Sequence, residues 1–176
     1  KFFGGSNSDL VLARENTTCP ILRKDFVIDA YQVIEAKSIG ADVILLLANV
    51  LTPQQIKQFA QFAKKLGLEI LLEVRDREEL NAVNEYVDAV GVNNRNLKDF
   101  SVNISQSYDL VDKIPNEFIK ISESGIDAPD TIINLRNAGF RGFLMGEQFM
   151  KQSRPEIACA NFIKEITTLQ KTLKTV

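Results

Sequence analysis

Short, nearly continuous apolar runs alternate along this chain with longer amphipathic stretches. The runs are Pro20-Ile21-Leu22, Val43 to Leu47, Ile70-Leu71-Leu72, Ala89-Val90-Gly91-Val92, Phe118-Ile119-Lys120-Ile121 and Gly142-Phe143-Leu144-Met145. Apolar runs this short, without polar alternation, are the pattern of parallel strands covered on both faces. The stretches between them carry helical periodicity and helix-end signals. Thr52-Pro53-Gln54-Gln55 offers an N-cap, a proline at the first helical position and a glutamine at N3. Ile56, Phe59, Ala60, Ala63 and Leu66 then share one face, and Gly67 stops the helix. Asp76 with Glu79 predicts the start of another helix, with Leu80 and Val83 facing inward. Pro129 opens a further one, with Ile132 and Leu135 on one side and Gly139 as terminator, and Ala30 to Ile39 ends in the same way at Gly40. Asp9 to Glu15, Asn103 to Ile114 and Glu156 to Leu173 complete the helical stretches.

Strand followed by helix, repeated, predicts an α/β fold of the TIM (β/α)8 barrel family. Six units are visible, beginning near Cys19, Asp42, Leu68, Asp88, Glu117 and Phe140. A closed barrel needs eight, and about 250 residues is typical, so 176 residues predict an incomplete barrel. Lys1-Phe2-Phe3-Gly4-Gly5-Ser6 reads as the end of a strand and its loop. The chain is therefore expected to start in mid-element and to form one partial barrel domain over residues 1–176, without a linker. It would hold barrel strands 3 to 8 and the end of strand 2. An uncovered apolar strand edge would favour self-association.

Composition narrows the function classes. A formal net charge of −2, with Lys and Arg scattered along the chain, leaves no electrostatic footprint for nucleic acid or an acidic membrane. The longest apolar run is broken at Asn49 and is too short to span a bilayer, and no signal peptide opens the chain. Cys19 and Cys159 lie outside any motif and point to a reducing, cytoplasmic location. Histidine is absent. That excludes a Ser-His-Asp triad and removes the commonest zinc ligand, so no metal site is expected. Acid–base chemistry would have to use Lys, Glu, Asp, Tyr or Cys.

Each apolar run ends in groups capable of such chemistry, and strand parity sorts them. Lys24 shares parity with Leu22, Glu73 with Leu71, Asn93 and Arg95 with Gly91, and Glu123 with Ile121 and Ile119. In a barrel these groups would converge at one rim. Lys120 has the opposite parity to Glu123 and is expected to face outward or toward a helix. Lys24 near Glu73 would be either a proton-transfer pair or a salt bridge at a strand end. Ser124-Gly125 and Gly146-Glu147 would follow the seventh and eighth barrel strands, where backbone N–H groups often bind phosphate; two ordinary turns are the alternative. Phe3 and Phe26 would line a pocket mouth or pack locally.

At these residues the sequence resembles the indole-3-glycerol-phosphate synthase family. The matching segments are Phe2-Phe3-Gly4-Gly5-Ser6, Pro20-Ile21-Leu22-Arg23-Lys24-Asp25-Phe26, Leu72-Glu73-Val74, Gly91-Val92-Asn93-Asn94-Arg95-Asn96-Leu97, Ser122-Glu123-Ser124-Gly125-Ile126 and Leu144-Met145-Gly146-Glu147. They stand in the family's order, from the first residue to roughly Ile166. The resemblance implies a lyase of tryptophan biosynthesis that needs no cofactor and acts on a small phosphorylated substrate. It would cyclise 1-(2-carboxyphenylamino)-1-deoxyribulose 5-phosphate, then release carbon dioxide and water to give indole-3-glycerol phosphate. By that resemblance Lys24 is the general acid and Glu73 its acid–base partner. Asn93 and Glu123 position the anilino and hydroxyl groups, with Ser124 nearby. Arg95 organises the phosphate end, Gly125, Gly146 and Glu147 belong to the phosphate site, and Phe3 and Phe26 pack on the anthranilate ring. The family's amino-terminal extension, its first strand with a glutamate and a lysine, and most of its second strand have no counterpart here. The chain alone is therefore expected to be inactive or impaired. Alternatives are a non-catalytic partial barrel acting as a folding or assembly module, another phosphate-binding barrel enzyme of the pathway, or a Schiff-base aldolase using Lys24.

Overall fold

A computed structural model describes residues 4–96 and 99–173. The chain divides into two compact units, residues 1–90 and 91–176, and the division falls within a strand.

In the first unit, α1 (Asn7–Asn16) precedes β1 (Leu22–Arg23), α2 (Ala30–Ser38), β2 (Val43–Leu47), α3 (Pro53–Lys65) and β3 (Glu69–Val74). β1, β2 and β3 are parallel and adjacent in that order, with Leu22 opposite Val43 and Leu47 opposite Glu73. Both parities of β2 and β3 are buried: Ile44, Leu46, Ile70 and Leu72 on one, Leu45, Leu47 and Leu71 on the other. That double burial is why the apolar runs lack polar alternation. α3 begins where expected, with Thr52 Oγ1 accepting from Gln55 N–H and Gln55 returning to Thr52 N–H. Its Ile56, Ala60 and Ala63 are buried, while Phe59 and Leu66 are half-buried.

Two aspartates hold the starts of strands in the same manner. Asp42, ahead of β2, accepts from Ile21 N–H at 2.7 Å and pairs with Arg14. Asp88, ahead of β4 (Ala89–Asn93), accepts from Ile70 N–H at 2.8 Å and pairs with Lys64. Each carboxylate satisfies an N–H at the start of a neighbouring strand, just ahead of β1 and within β3, that the sheet leaves open.

The helix expected from Asp76 is a single 3₁₀ turn, Glu79–Ala82, with Ala82 buried and Leu80 and Val83 half-buried. Side chains compete here for the backbone groups a helix would need. Asn84 takes the Ala82 carbonyl and the Tyr86 N–H, which a continued helix would have paired with each other.

In the second unit, β4 leads to α4 (Ser105–Leu110), a 3₁₀ turn (Val111–Lys113), β5 (Ile119–Glu123), α5 (Pro129–Ala138), β6 (Gly142–Leu144), α6 (Glu147–Met150) and α7 (Pro155–Leu173). β5 and β6 are parallel neighbours, with Glu123 opposite Leu144. The helix expected over Asn103–Ile114 is thus a short α-helix that tightens into a 3₁₀ turn. The unit's core gathers Leu110, Ile114, Leu135 and Phe140, and Phe149 meets Phe162 edge-on at 5.6 Å. Gly139 ends α5 at φ 121°, as its place after the apolar stripe predicts.

Candidate active site

In the first unit, two of the expected site residues, Lys24 and Glu73, form an ion pair. Lys24 follows β1, and Glu73 sits near the end of β3. Lys24 Nζ lies 3.1 Å from Glu73 Oε2. Glu73 is only 5% exposed and the Lys24 side chain 48% exposed, so a buried carboxylate meets a cation open to solvent. Alternation puts the neighbouring Arg23 on the other face, where its guanidinium meets Glu35 at 2.7 Å and the Gln32 carbonyl of α2 at 3.3 Å. Arg23 and then Asn7 hold the Glu35 carboxyl below the usual carboxylate range. A third carboxylate stands beyond Glu73. Burial, then the charges of Asp76 and Glu73, push the Glu79 carboxyl above its ordinary value, against the opposing bond from Arg75 N–H. Phe26 is exposed and its carbonyl accepts from Gln32. Phe3 lies outside the described residues.

The second unit holds the other groups. Asn93, the last residue of β4, is buried, and its Oδ1 accepts from Arg95 N–H at 2.9 Å. Arg95 makes an antiparallel bridge with Val102 and directs its guanidinium to the Glu147 carboxylate. The Glu147 side chain is therefore committed to a cation, and what it could offer a phosphate is its backbone N–H. Glu123 ends β5 at 2% exposure. Ser124 and Gly125 follow it in the left-handed conformation, at φ 66° and 70°. A Cβ on Gly125 would sit 2.3 Å from Val102 Cγ1, so the main chain comes close under Val102 because residue 125 has no side chain. At Gly146, just ahead of α6, a Cβ would meet nothing within 4 Å, and the backbone is open to an incoming group. Lys120 faces away, donating to the Val111 carbonyl at 2.8 Å and to Asn116 at 3.2 Å, as its parity requires.

Three buried residues escape a parity search for chemical groups: Asn94, Ser107 and Ser122. Asn94 Nδ2 donates to Ser122 Oγ and to the Ser124 carbonyl, both at 3.1 Å. Asn94 Oδ1 accepts from Ser107 N–H at 3.1 Å and from Ser107 Oγ at 2.9 Å. The two hydroxyls are 2.7 Å apart. The sequence signal for them is a serine within β5 and another on the inward side of a helix.

Parallel strands in chain order, each followed by a helical segment and ending in polar groups, define an α/β protein of the (β/α)-barrel class, here with six strand–helix units. Solved structures agree on the fold. The tryptophan synthase α-subunit of Pyrococcus furiosus superposes with a TM-score of 0.70 over 94% of this chain and 75% of that one, at 17% identity. Sequence comparison goes further. The family model for indole-3-glycerol phosphate synthase matches residues 1–162. The chain is 46% identical to the indole-3-glycerol phosphate synthase of Bacteroides thetaiotaomicron over 94% of its length. It is 44% identical to that of Campylobacter jejuni subsp. doylei over 86%. It spans 64% and 59% of the lengths of those two relatives. The chain belongs to the indole-3-glycerol phosphate synthase family. No helix among the described residues is long and apolar enough to cross a membrane.

Proposed function

We propose that this protein is a carbon–carbon lyase of tryptophan biosynthesis. It would close the ring of 1-(2-carboxyphenylamino)-1-deoxyribulose 5-phosphate and release carbon dioxide and water, giving indole-3-glycerol phosphate. The observation that carries the reading is the Lys24–Glu73 pair, 3.1 Å apart. Ring closure turns a ketone into an alcohol, so the carbonyl oxygen must gain a proton as the new carbon–carbon bond forms. The exposed ammonium of Lys24 is the donor suited to that oxygen, because a lysine is protonated at neutral pH. The buried Glu73 carboxylate orients the ammonium and takes part in returning its proton. Loss of carbon dioxide leaves its bonding electrons in the ring and restores aromaticity, and loss of water then needs an acid at the hydroxyl.

In the second unit, Asn93 and Glu123 would position the anilino nitrogen and the hydroxyl, with Ser124 beside them. Arg95 would organise the phosphate end, and the N–H groups of Gly125, Gly146 and Glu147 would hold the phosphate. Phe26, with Phe3, would pack on the anthranilate ring. The reaction asks for no redox step, so no cofactor belongs to this reading. Cys19 and Cys159 are both free thiols, in keeping with a cytoplasmic setting. In the full-length protein, Lys24→Met should lower kcat by about 10²–10⁴-fold with a much smaller change in KM. Turnover of that variant within a few-fold of wild type would sink the assignment.

A further inference from the structure

We propose that Asn94 is a positioning residue, holding the Ser124–Gly125 turn in the left-handed form from which its backbone N–H groups take the substrate phosphate. The proposal rests on the function read above and names the group that shapes its phosphate turn.

Ser124 is a non-glycine residue at φ 66°, a conformation that persists only where surrounding contacts impose it. Gly125 follows at φ 70°, and Val102 closes over it. The contact that reaches the Ser124 main chain from elsewhere in the unit is Asn94 Nδ2, on its carbonyl at 3.1 Å. That amide is itself held without freedom to flip. Ser107 N–H can only donate, so the atom facing it is Oδ1; the Ser124 carbonyl can only accept, so the atom facing it is Nδ2.

The hydroxyls complete a closed ring with one sense. Asn94 Nδ2 donates to Ser122 Oγ, Ser122 Oγ to Ser107 Oγ, and Ser107 Oγ to Asn94 Oδ1. With Ser107 N–H and the Ser124 carbonyl added, both side-chain amide hydrogens and both lone pairs of Asn94 Oδ1 are used. Main-chain bonds anchor the same residue. Asn94 N–H donates to the Glu123 carbonyl at 2.9 Å, and the Asn94 carbonyl accepts from Asn103 N–H at 2.9 Å. Asn94 therefore ties the end of β4 to α4 and to the residues on either side of the β5 terminus. It lies on the face opposite to Asn93, and among the described residues its hydrogen bonds reach Glu123 and Ser124 through their main-chain carbonyls.

The test compares Asn94→Ser with Ser107→Ala in the full-length protein, with inorganic phosphate as the probe. Serine is neutral and small, and cannot reach the Ser124 carbonyl. Ser107→Ala opens the hydroxyl ring but leaves Asn94 Nδ2 on that carbonyl. Phosphate is titrated against the amide NMR signals of Ser124 and Gly125, with melting temperatures and steady-state kinetics in parallel. Asn94→Ser should weaken phosphate binding about tenfold or more. It should raise KM for the phosphorylated substrate, leaving kcat and its pH profile near wild type. Ser107→Ala should keep phosphate affinity within a few-fold at a similar loss of melting temperature. Asn94→Ala repeats the comparison should Asn94→Ser not fold. Phosphate affinity that is unchanged in the folded Asn94 variant, or that falls in both variants in step with melting temperature, overturns the proposal. Wild type that binds phosphate at these amides without turning over the carboxyphenylamino substrate would remove the assigned reaction, while weakened phosphate binding in Asn94→Ser but not in Ser107→Ala would still support the role of Asn94.

Discussion

The close approach of Val102 to Gly125 offers a direct test of the geometry. Gly125→Ala adds one methyl where the main chain runs at φ 70° and where a Cβ would lie 2.3 Å from Val102 Cγ1. Two costs are expected, and they are separable. Alanine in the left-handed region costs about 1–2 kcal/mol whatever surrounds it. The collision adds about 1–3 kcal/mol, because valine branches at Cβ and has little freedom to turn away. Val102→Ala removes the colliding atom; the next nearest, Val102 Cβ, is at 3.8 Å, an ordinary contact. Val102 is 43% exposed, so its truncation alone should cost about 1 kcal/mol or less. The double variant should therefore lose only the left-handed part, with Val102→Ala recovering about 1–3 kcal/mol of the Gly125→Ala loss. Urea unfolding of wild type, both single variants and the double variant measures each side of the cycle. A coupling below about 0.5 kcal/mol would mean that Val102 does not close over Gly125, and the reasoning would fail.

Two further perturbations concern the first unit. Leu46→Ala, at a fully buried position of β2, should destabilise by about 2–5 kcal/mol in chemical denaturation; a loss below 1 kcal/mol would contradict that burial. Glu79→Gln keeps an oxygen for Arg75 N–H but removes a charge that burial disfavours. Because the folded carboxyl titrates above its unfolded value, folding carries no penalty at pH below the unfolded value. The penalty grows as pH rises between the two and is constant above the folded value. The variant should match wild type in acid and melt higher near neutrality, and a melting difference independent of pH would refute it.

Much of this could be read along the chain, because burial and periodicity are local properties. Continuous apolar runs marked the strands, since a strand covered on both faces needs apolar residues at both parities. Thr52-Pro53-Gln54-Gln55 and Pro129 with Gly139 marked helix ends, since caps act within one turn. Parity separated Lys24, Glu73, Asn93 and Glu123 from Lys120, whose amine is spent on the Val111 carbonyl. The segment after Asp76 reads as a helix but folds as a single 3₁₀ turn, because Asn84 takes the Ala82 carbonyl and the Tyr86 N–H that a longer helix would have paired.

Tertiary structure alone decided the rest. Asn94 and Ser122 are 28 residues apart and carry no shared pattern; they meet because the ends of β4 and β5 are brought together. The Glu147 carboxylate belongs to Arg95, 52 residues away, and no rule of spacing joins them. The left-handed Ser124 is invisible in the string Ser122-Glu123-Ser124-Gly125, since serine has no local preference for that conformation and a distant amide holds it there. By itself the sequence determined which faces are buried and which groups end each strand. The side chains that meet depend on where separate elements come to rest, and only the packed fold sets those positions.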